Sequence, residues 1–319
     1  MARDMGRGLE QRAAAPVMNR TAGFLIVALS GACFGALGLF GRLAYAAGAD
    51  VFTLLFLRFT FAGAVLAAFM VAMRQPLPKG RLLVGLILLG AVGYVSEAGV
   101  YFAALQFAPA GLVALLLYSF PALVALLQVL VFRERLGRLK WVAVVLALCG
   151  TGLTADLRQG AVTPTGVFLG LLSALLYAVY VVTSARVAGK AGPLVSSTVI
   201  LSSAGLVFGL AMLVKGPSFP TTGLGWGAVV GLSLISTVAA VFLFFLGMAR
   251  IGPVNTSLVS NMEPLTAVVL SALFLDERLS LRQVFGGALI LTAAVLLARS
   301  DTPGANLKPP EDATAEGPA

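Results

Sequence analysis

Two acidic residues sit deep inside long apolar runs. Glu97 lies in Tyr94-Val95-Ser96-Glu97-Ala98-Gly99-Val100-Tyr101, and Glu263 in Ser260-Asn261-Met262-Glu263-Pro264. Helical spacing of three and four residues puts Tyr94, Glu97 and Tyr101 on one face. A carboxylate between two tyrosines suits a substrate ammonium group, with the ring faces adding cation–π attraction. The alternative is a protonated or hydrogen-bonded glutamate that joins neighbouring helices. Pro264 lacks a backbone donor and is expected to free the Ser260 carbonyl beside Asn261 and Glu263. Pro121 stands in the same relation to Leu117, beside Tyr118 and Ser119. These two prolines are the candidate hinges; the alternative is a pair of ordinary kinks satisfied by nearby hydroxyls. Tyr177, Tyr180 and Ser184 on one run, and Ser233, Ser236 and Thr237 on another, complete a mostly apolar set with a few polar groups. The candidate substrate-binding residues are Tyr94, Glu97, Tyr101, Tyr118, Ser119, Tyr177, Tyr180, Ser236, Asn261 and Glu263.

A charge inside hydrocarbon costs about 2.5–3.5 kcal/mol on insertion scales, so each one needs a reason. Arg42 lies near the end of its run, where a long side chain can snorkel to the interface. Arg58 sits seven residues into the next run and reads as a structural anchor rather than a substrate contact.

The chemistry these residues cannot do is equally informative. Histidine is absent, which removes Ser–His and His–metal arrangements. No close pair of acids lies within one run to hold Mg²⁺ or act as a dyad. The only Gly-Lys pair, Gly189-Lys190, is followed by Ala191 and lacks the glycine pattern of a phosphate loop. The reading therefore contains no catalytic residue, no metal site, no cofactor and no need for an ATPase subunit. Cys33 and Cys149 both sit in apolar runs, which argues against a disulfide framework. The net charge of +9 does not by itself point to nucleic acid.

These residues must be positioned by membrane helices. Of 319 residues, 59% are hydrophobic and 11% charged, against about 25% charged in soluble domains. Ten stretches reach roughly the 20 residues needed to cross a bilayer. They run from about 21 to 46, 51 to 73, 81 to 107, 109 to 132 and 139 to 155. The second series runs from 165 to 187, 194 to 214, 224 to 249, 253 to 275 and 281 to 298. Ala108-Pro109 and Gly252-Pro253 mark links short enough to demand tight hairpins. Residues 1–20 read as a cytoplasmic tail and 299–319 as a disordered one. With the N-terminus inside, sixteen of the 22 basic residues fall on inner segments and four on outer ones. The positive-inside rule then places both termini in the cytoplasm.

The two series resemble each other. At an offset of 143 positions Pro121 meets Pro264, Glu134 meets Glu277, Arg135 meets Arg278, Leu136 meets Leu279 and Ser30 meets Ser173. A one-residue gap brings Pro109 onto Pro253. Because each repeat (21–155 and 165–298) holds five spans, the second must enter the membrane from the opposite side. The expected fold is an all-α integral membrane protein of ten transmembrane helices in two inverted five-helix repeats. That architecture belongs to secondary transporters with midplane sites, although a duplication can also serve only as scaffold.

Ten spans, the inverted repeat and the doubled Pro…Glu-Arg-Leu frame resemble the EamA branch of the drug/metabolite transporter superfamily. The segment Phe102-Ala103-Ala104-Leu105-Gln106-Phe107-Ala108-Pro109-Ala110 resembles its third-to-fourth hairpin. The resemblance implies a bacterial inner-membrane secondary transporter that exports amino acids, aromatic ones included, or related small metabolites. Exporters of drugs or other metabolites, an intramembrane enzyme and a channel are the alternatives. Substrate identity, coupling ion, direction and oligomeric state are not encoded in these motifs.

Overall fold

The protein is described by a computed structural model covering residues 20–108, 110–154, 163–274 and 280–299. Both expected tails lie outside the described residues (Arg20 and Arg299 excepted), as do Pro109, Ala155, Arg158, Glu277, Arg278 and Leu279. Every described element is helical. The helices are α1 (Thr21–Ala46), α2 (Val51–Ala72), α3 (Arg81–Ala104), α4 (Leu112–Leu130), α5 (Arg138–Thr154), α6 (Pro164–Ala191), α7 (Pro193–Lys215), α8 (Gly223–Val259), α9 (Met262–Phe274) and α10 (Leu281–Arg299). Their starts follow local rules. Asp50 caps α2 by accepting from the Phe52 and Thr53 amides at 2.8 and 3.2 Å. Thr163 and Thr222 cap α6 and α8 through the amides of Gly166 and Gly225. Ser280 and Gln283 form a reciprocal capping pair at α10.

α8 spans 37 residues, about 55 Å at 1.5 Å per residue and too long for one crossing. It breaks at Gly252, whose φ of 76° is open to glycine but strained for other residues. Contacts along α1 show that the chain reverses there. Gly23 faces Arg250 and Ile251, and Gly247 faces Val27. The Ser30 hydroxyl donates to the Ala240 carbonyl at 2.7 Å, while Gly31 faces Ser260 and Met262. Residues 240 and 260 thus lie at one level and 251 at another. The segment 253–259 continues through Ser260–Asn261 into α9, which completes the tenfold crossing.

The inversion of the two halves is visible in helix directions. Phe56, Thr60 and Gly63 of α2 face Gly209, Gly205 and Ser202 of α7, an antiparallel pair. α3 runs antiparallel to α6 through Gly85–Val187, Gly93–Tyr180 and Phe107–Gly166. α8 runs antiparallel to α1 through Gly225–Ala47, Gly231–Phe40 and Gly247–Val27. Exchanging the halves maps the α3–α6 pair onto the α8–α1 pair and the α2–α7 pair onto itself. α4 packs on α6 as α9 packs on α1, and α5 pairs with α10. Small residues make these approaches close: a Cβ on Gly35 would stand 2.7 Å from the Glu263 carbonyl. Gly31 and Gly35, and Gly205 and Gly209, are therefore packing positions.

Local irregularities are duplicated too. α3 contains a six-residue π turn at Leu89–Tyr94, and α8 contains one at Leu234–Ala239. α4 breaks at Tyr118–Ser119 and α9 is separated from residue 259 by Ser260–Asn261. These breaks correct the expectation drawn from Pro121 and Pro264. Neither proline kinks a continuous helix. Each sits in the first turn of a new segment, where its missing N–H is tolerated. The Ser260 carbonyl is not left free, since the Glu263 amide donates to it at 2.9 Å.

One difference between the halves matters for access. Every residue from Val254 to Asn261 is buried, whereas of the described counterparts 143 positions earlier, 112–118, only Val113 is. The α4 segment Phe120–Leu130 packs across the midline on α8, and Met262–Phe274 makes no comparable contact with Val95–Ala104. The Arg186 guanidinium also stacks 3.3 Å from the Phe132 ring at the closed end. The centre is shut toward the end carrying Arg20 and Arg299 and open toward the opposite end.

Candidate functional site

The open cleft is built from the middle of α1, α2, α3, α4, α6, α8 and α9. On α1, Gly38, Gly41 and Tyr45 follow at spacings of three and four and share a face. A Cβ added to Gly38 or Gly41 would meet no atom within 4 Å, so that face borders open space. Tyr45 lies within electrostatic reach of Tyr101 on α3 and of Arg58 on α2.

The floor of the cleft carries the charges. Glu97 and Glu263 are half-buried, approach from α3 and α9, and interact with each other and with Arg58. The Tyr118 side chain lies within electrostatic reach of the Glu263 carboxyl, which brings the break in α4 near the start of α9. Glu97 receives no hydrogen bond among the described residues. Arg58 is buried at 5% exposure. Its Nε donates to Thr237 Oγ1 at 2.7 Å and its Nη2 to the Ser236 carbonyl at 3.4 Å. Arg58 also lies within electrostatic reach of the Tyr94 side chain. The guanidinium lies 4.9 Å from the Phe59 ring centroid.

Aromatic rings form the wall beneath the carboxylates. Tyr94 meets Phe59 edge-on at 5.2 Å and Tyr180 at 5.7 Å. Tyr180 stacks on Tyr177 at 6.0 Å, and Tyr177 touches Phe120 at 4.5 Å. Such contacts are worth about 0.5–1.5 kcal/mol each beyond burial and hold the rings in fixed orientation.

Of the residues expected from sequence, the structure gathers Tyr94, Glu97, Tyr101, Tyr118, Tyr177, Tyr180 and Glu263 around one space. Ser119 lies beside it, but its hydroxyl is turned back to the Leu116 carbonyl at 2.6 Å. Ser236 and Asn261 are fully buried in this conformation and do not reach the cleft. Ser184 and Ser233 likewise bond their own helices at Val181 and Val229. Pro121 and Pro264 are buried at the breaks. Arg58 is the anchor expected from sequence, tying α2 to α8 through Thr237 and the Ser236 carbonyl, whereas Gly38, Gly41 and Tyr45 were passed over. The spacing of the last three was available as a signal.

At the open end, Asp50 ties two loops together. It accepts from the amides of Phe52, Thr53 and Ser218 and from the Thr53 hydroxyl. Ser218 returns a hydroxyl bond to the Gly48 carbonyl, and Thr221 donates to Ala47. Partial burial alone would raise the Asp50 pKa. Hydrogen bonds from the Thr53 hydroxyl and the three amides outweigh that and hold it below the ordinary aspartate value.

Known proteins share both sequence and fold with this chain. The EamA-like transporter family matches twice, over residues 21–155 and 164–299. A transporter from Archaeoglobus fulgidus is 30% identical over 274 residues, covering 85% of this chain and 94% of its own. Protein PecM of Dickeya dadantii is 28% identical, covering 72% of this chain and 79% of its own. The inner membrane transporter YedA of Escherichia coli is 25% identical over 75% and 79% respectively. One solved crystal structure with a TM-score of 0.73 covers 86% of this chain and 96% of its own at 23% identity, which shows the shared fold. With two matched repeats enclosing a polar cleft, the chain belongs to the EamA-like transporters, multi-pass membrane proteins of the drug/metabolite transporter superfamily.

Proposed function

We propose that the protein exports small amphipathic metabolites by alternating access, and that amino acids, aromatic ones among them, are its substrate class. The observation that carries this reading is the pairing of two half-buried carboxylates with a tyrosine wall at the floor of one cleft. A substrate ammonium is matched by Glu97 and Glu263, and an apolar or aromatic side chain by Tyr94, Tyr101, Tyr118, Tyr177 and Tyr180. The breaks at Pro121 and Pro264 serve as hinges that let each half adopt the other's packing. The basic-residue bias puts both termini in the cytoplasm. The open end then faces outward, in a bacterial inner membrane like that named for YedA and the Salmonella YicL. Two carboxylates facing one guanidinium also favour a second reading, in which amphipathic organic cations are the cargo.

Counterflow in proteoliposomes separates these readings. Saturable uptake of labelled L-phenylalanine against internal L-phenylalanine, abolished by Glu97→Gln and by Glu263→Gln, supports the proposal. Wild-type rates from both variants refute the site. Uptake of tetraphenylphosphonium without exchange of L-phenylalanine transfers the assignment to cations.

A further inference from the structure

The cation at the centre of the site breaks the twofold symmetry of the fold. At the equivalent position of α7, 143 residues on, stands Leu201, fully buried and apolar. The two π turns are held differently as a result. That of α3 is packed by contact, with Gly90 pressed against the Ile200 backbone and Ser203. That of α8 is held by Arg58 through Thr237 Oγ1 and the Ser236 carbonyl. A guanidinium has five donors in a planar fork suited to a carboxylate. Here its contact to Ser236 is long at 3.4 Å, and Thr237 Oγ1 already donates to the Leu232 carbonyl at 2.9 Å. Neutral acceptors of this kind are weaker partners than a carboxylate.

We propose that Arg58 is the specificity-determining residue that recognises the substrate's carboxylate, exchanging its hold on the α8 π turn for that group. The proposal rests on the amino-acid reading above and deepens it. Glu97, which lacks a donor, takes the ammonium, and Arg58 takes the carboxylate of the same α-amino acid. The site thereby distinguishes a zwitterion from an amine of the same shape. Release of Ser236 and Thr237 frees a π turn that packs on both α1 and α2, so occupancy is transmitted to the helix pair that must move.

Binding to the full-length protein in detergent tests this, with L-phenylalanine and phenethylamine as probes. The wild type is expected to prefer L-phenylalanine by about tenfold or more, the scale of one charge-assisted contact. Arg58→Met should remove that preference, weakening L-phenylalanine by about tenfold while leaving phenethylamine equal or tighter. Thr237→Val removes a competing acceptor but keeps the cation, and should tighten L-phenylalanine severalfold without moving phenethylamine. A purely structural Arg58 would give equal losses for both probes in Arg58→Met and a loss in Thr237→Val, and either pattern overturns the proposal. Counterflow of L-phenylalanine that persists unchanged in Arg58→Met overturns it while leaving the amino-acid reading intact. Absence of L-phenylalanine binding to the wild type removes the reading itself.

Discussion

Tyr118 and Glu263 join the two helix breaks of the molecule. Tyr118 lies in the break of α4, within electrostatic reach of Glu263, which stands two residues past the matching break at Ser260–Asn261. The contact crosses from one half to the other at the floor of the cleft.

Tyr118→Phe keeps the ring and deletes only the hydroxyl. Removing a polar neighbour from a half-buried carboxyl costs about 1–3 kcal/mol, so exchange at low substrate concentration should fall by roughly tenfold. Thermal stability should change little, since Glu263 can recruit water from the cleft. Concentration-dependent counterflow reads the first effect and a detergent melting curve the second. An unchanged rate would separate Tyr118 from the site.

Gly35 and Gly38 lie on one helix three residues apart and meet opposite environments. A Cβ on Gly35 would stand 2.6 Å from Thr266 Cβ and 2.7 Å from the Glu263 carbonyl, whereas one on Gly38 meets nothing within 4 Å. Gly35→Ala should therefore destabilise by about 1–3 kcal/mol through overpacking against α9. Gly38→Ala should be neutral or stabilising by up to about 1 kcal/mol from helix propensity. Gly38→Leu should fold normally yet block exchange by filling the cleft. Melting temperatures and counterflow on the three variants check the ordering.

Asp50 gives stability a defined acid dependence. Its folded pKa lies below the ordinary value. The contribution is thus fully present above about pH 4 and lost as pH falls through the depressed folded value. Asp50→Ala should flatten this acid limb and lower stability at neutral pH by about 1 kcal/mol, the scale of one lost helix cap. Melting temperatures from pH 3 to 7 for both proteins test it; parallel curves would assign the acid limb elsewhere.

Much of this architecture was legible because its signals are local. Apolar runs, the Ala108 and Gly252 links and the Pro121–Pro264 offset define ten crossings and an inversion, which the helix directions display. Glu97 with Tyr94 and Tyr101 was readable from spacing alone. Arg58 was readable as an anchor from its place in an apolar run, but its partner Thr237 stands 179 positions away, and no local pattern reports that distance. The prolines misled because a missing N–H signals equally a kink and a first-turn position. Ser236 and Asn261 looked like site residues by type, yet burial depends on which face α8 and α9 turn to their neighbours. Both π turns escaped notice because they add hydrogen-bond register rather than a residue signature.

The most direct test of a cleft that opens alternately uses Gly38→Cys in a variant with Cys33 and Cys149 replaced. A membrane-impermeant thiol reagent applied to oriented vesicles should label residue 38 from the side opposite the termini. Labelling should slow when saturating L-phenylalanine cycles the protein between its two forms. A thiol at 38 that stays unreactive from that side, with the variant folded, would contradict the account.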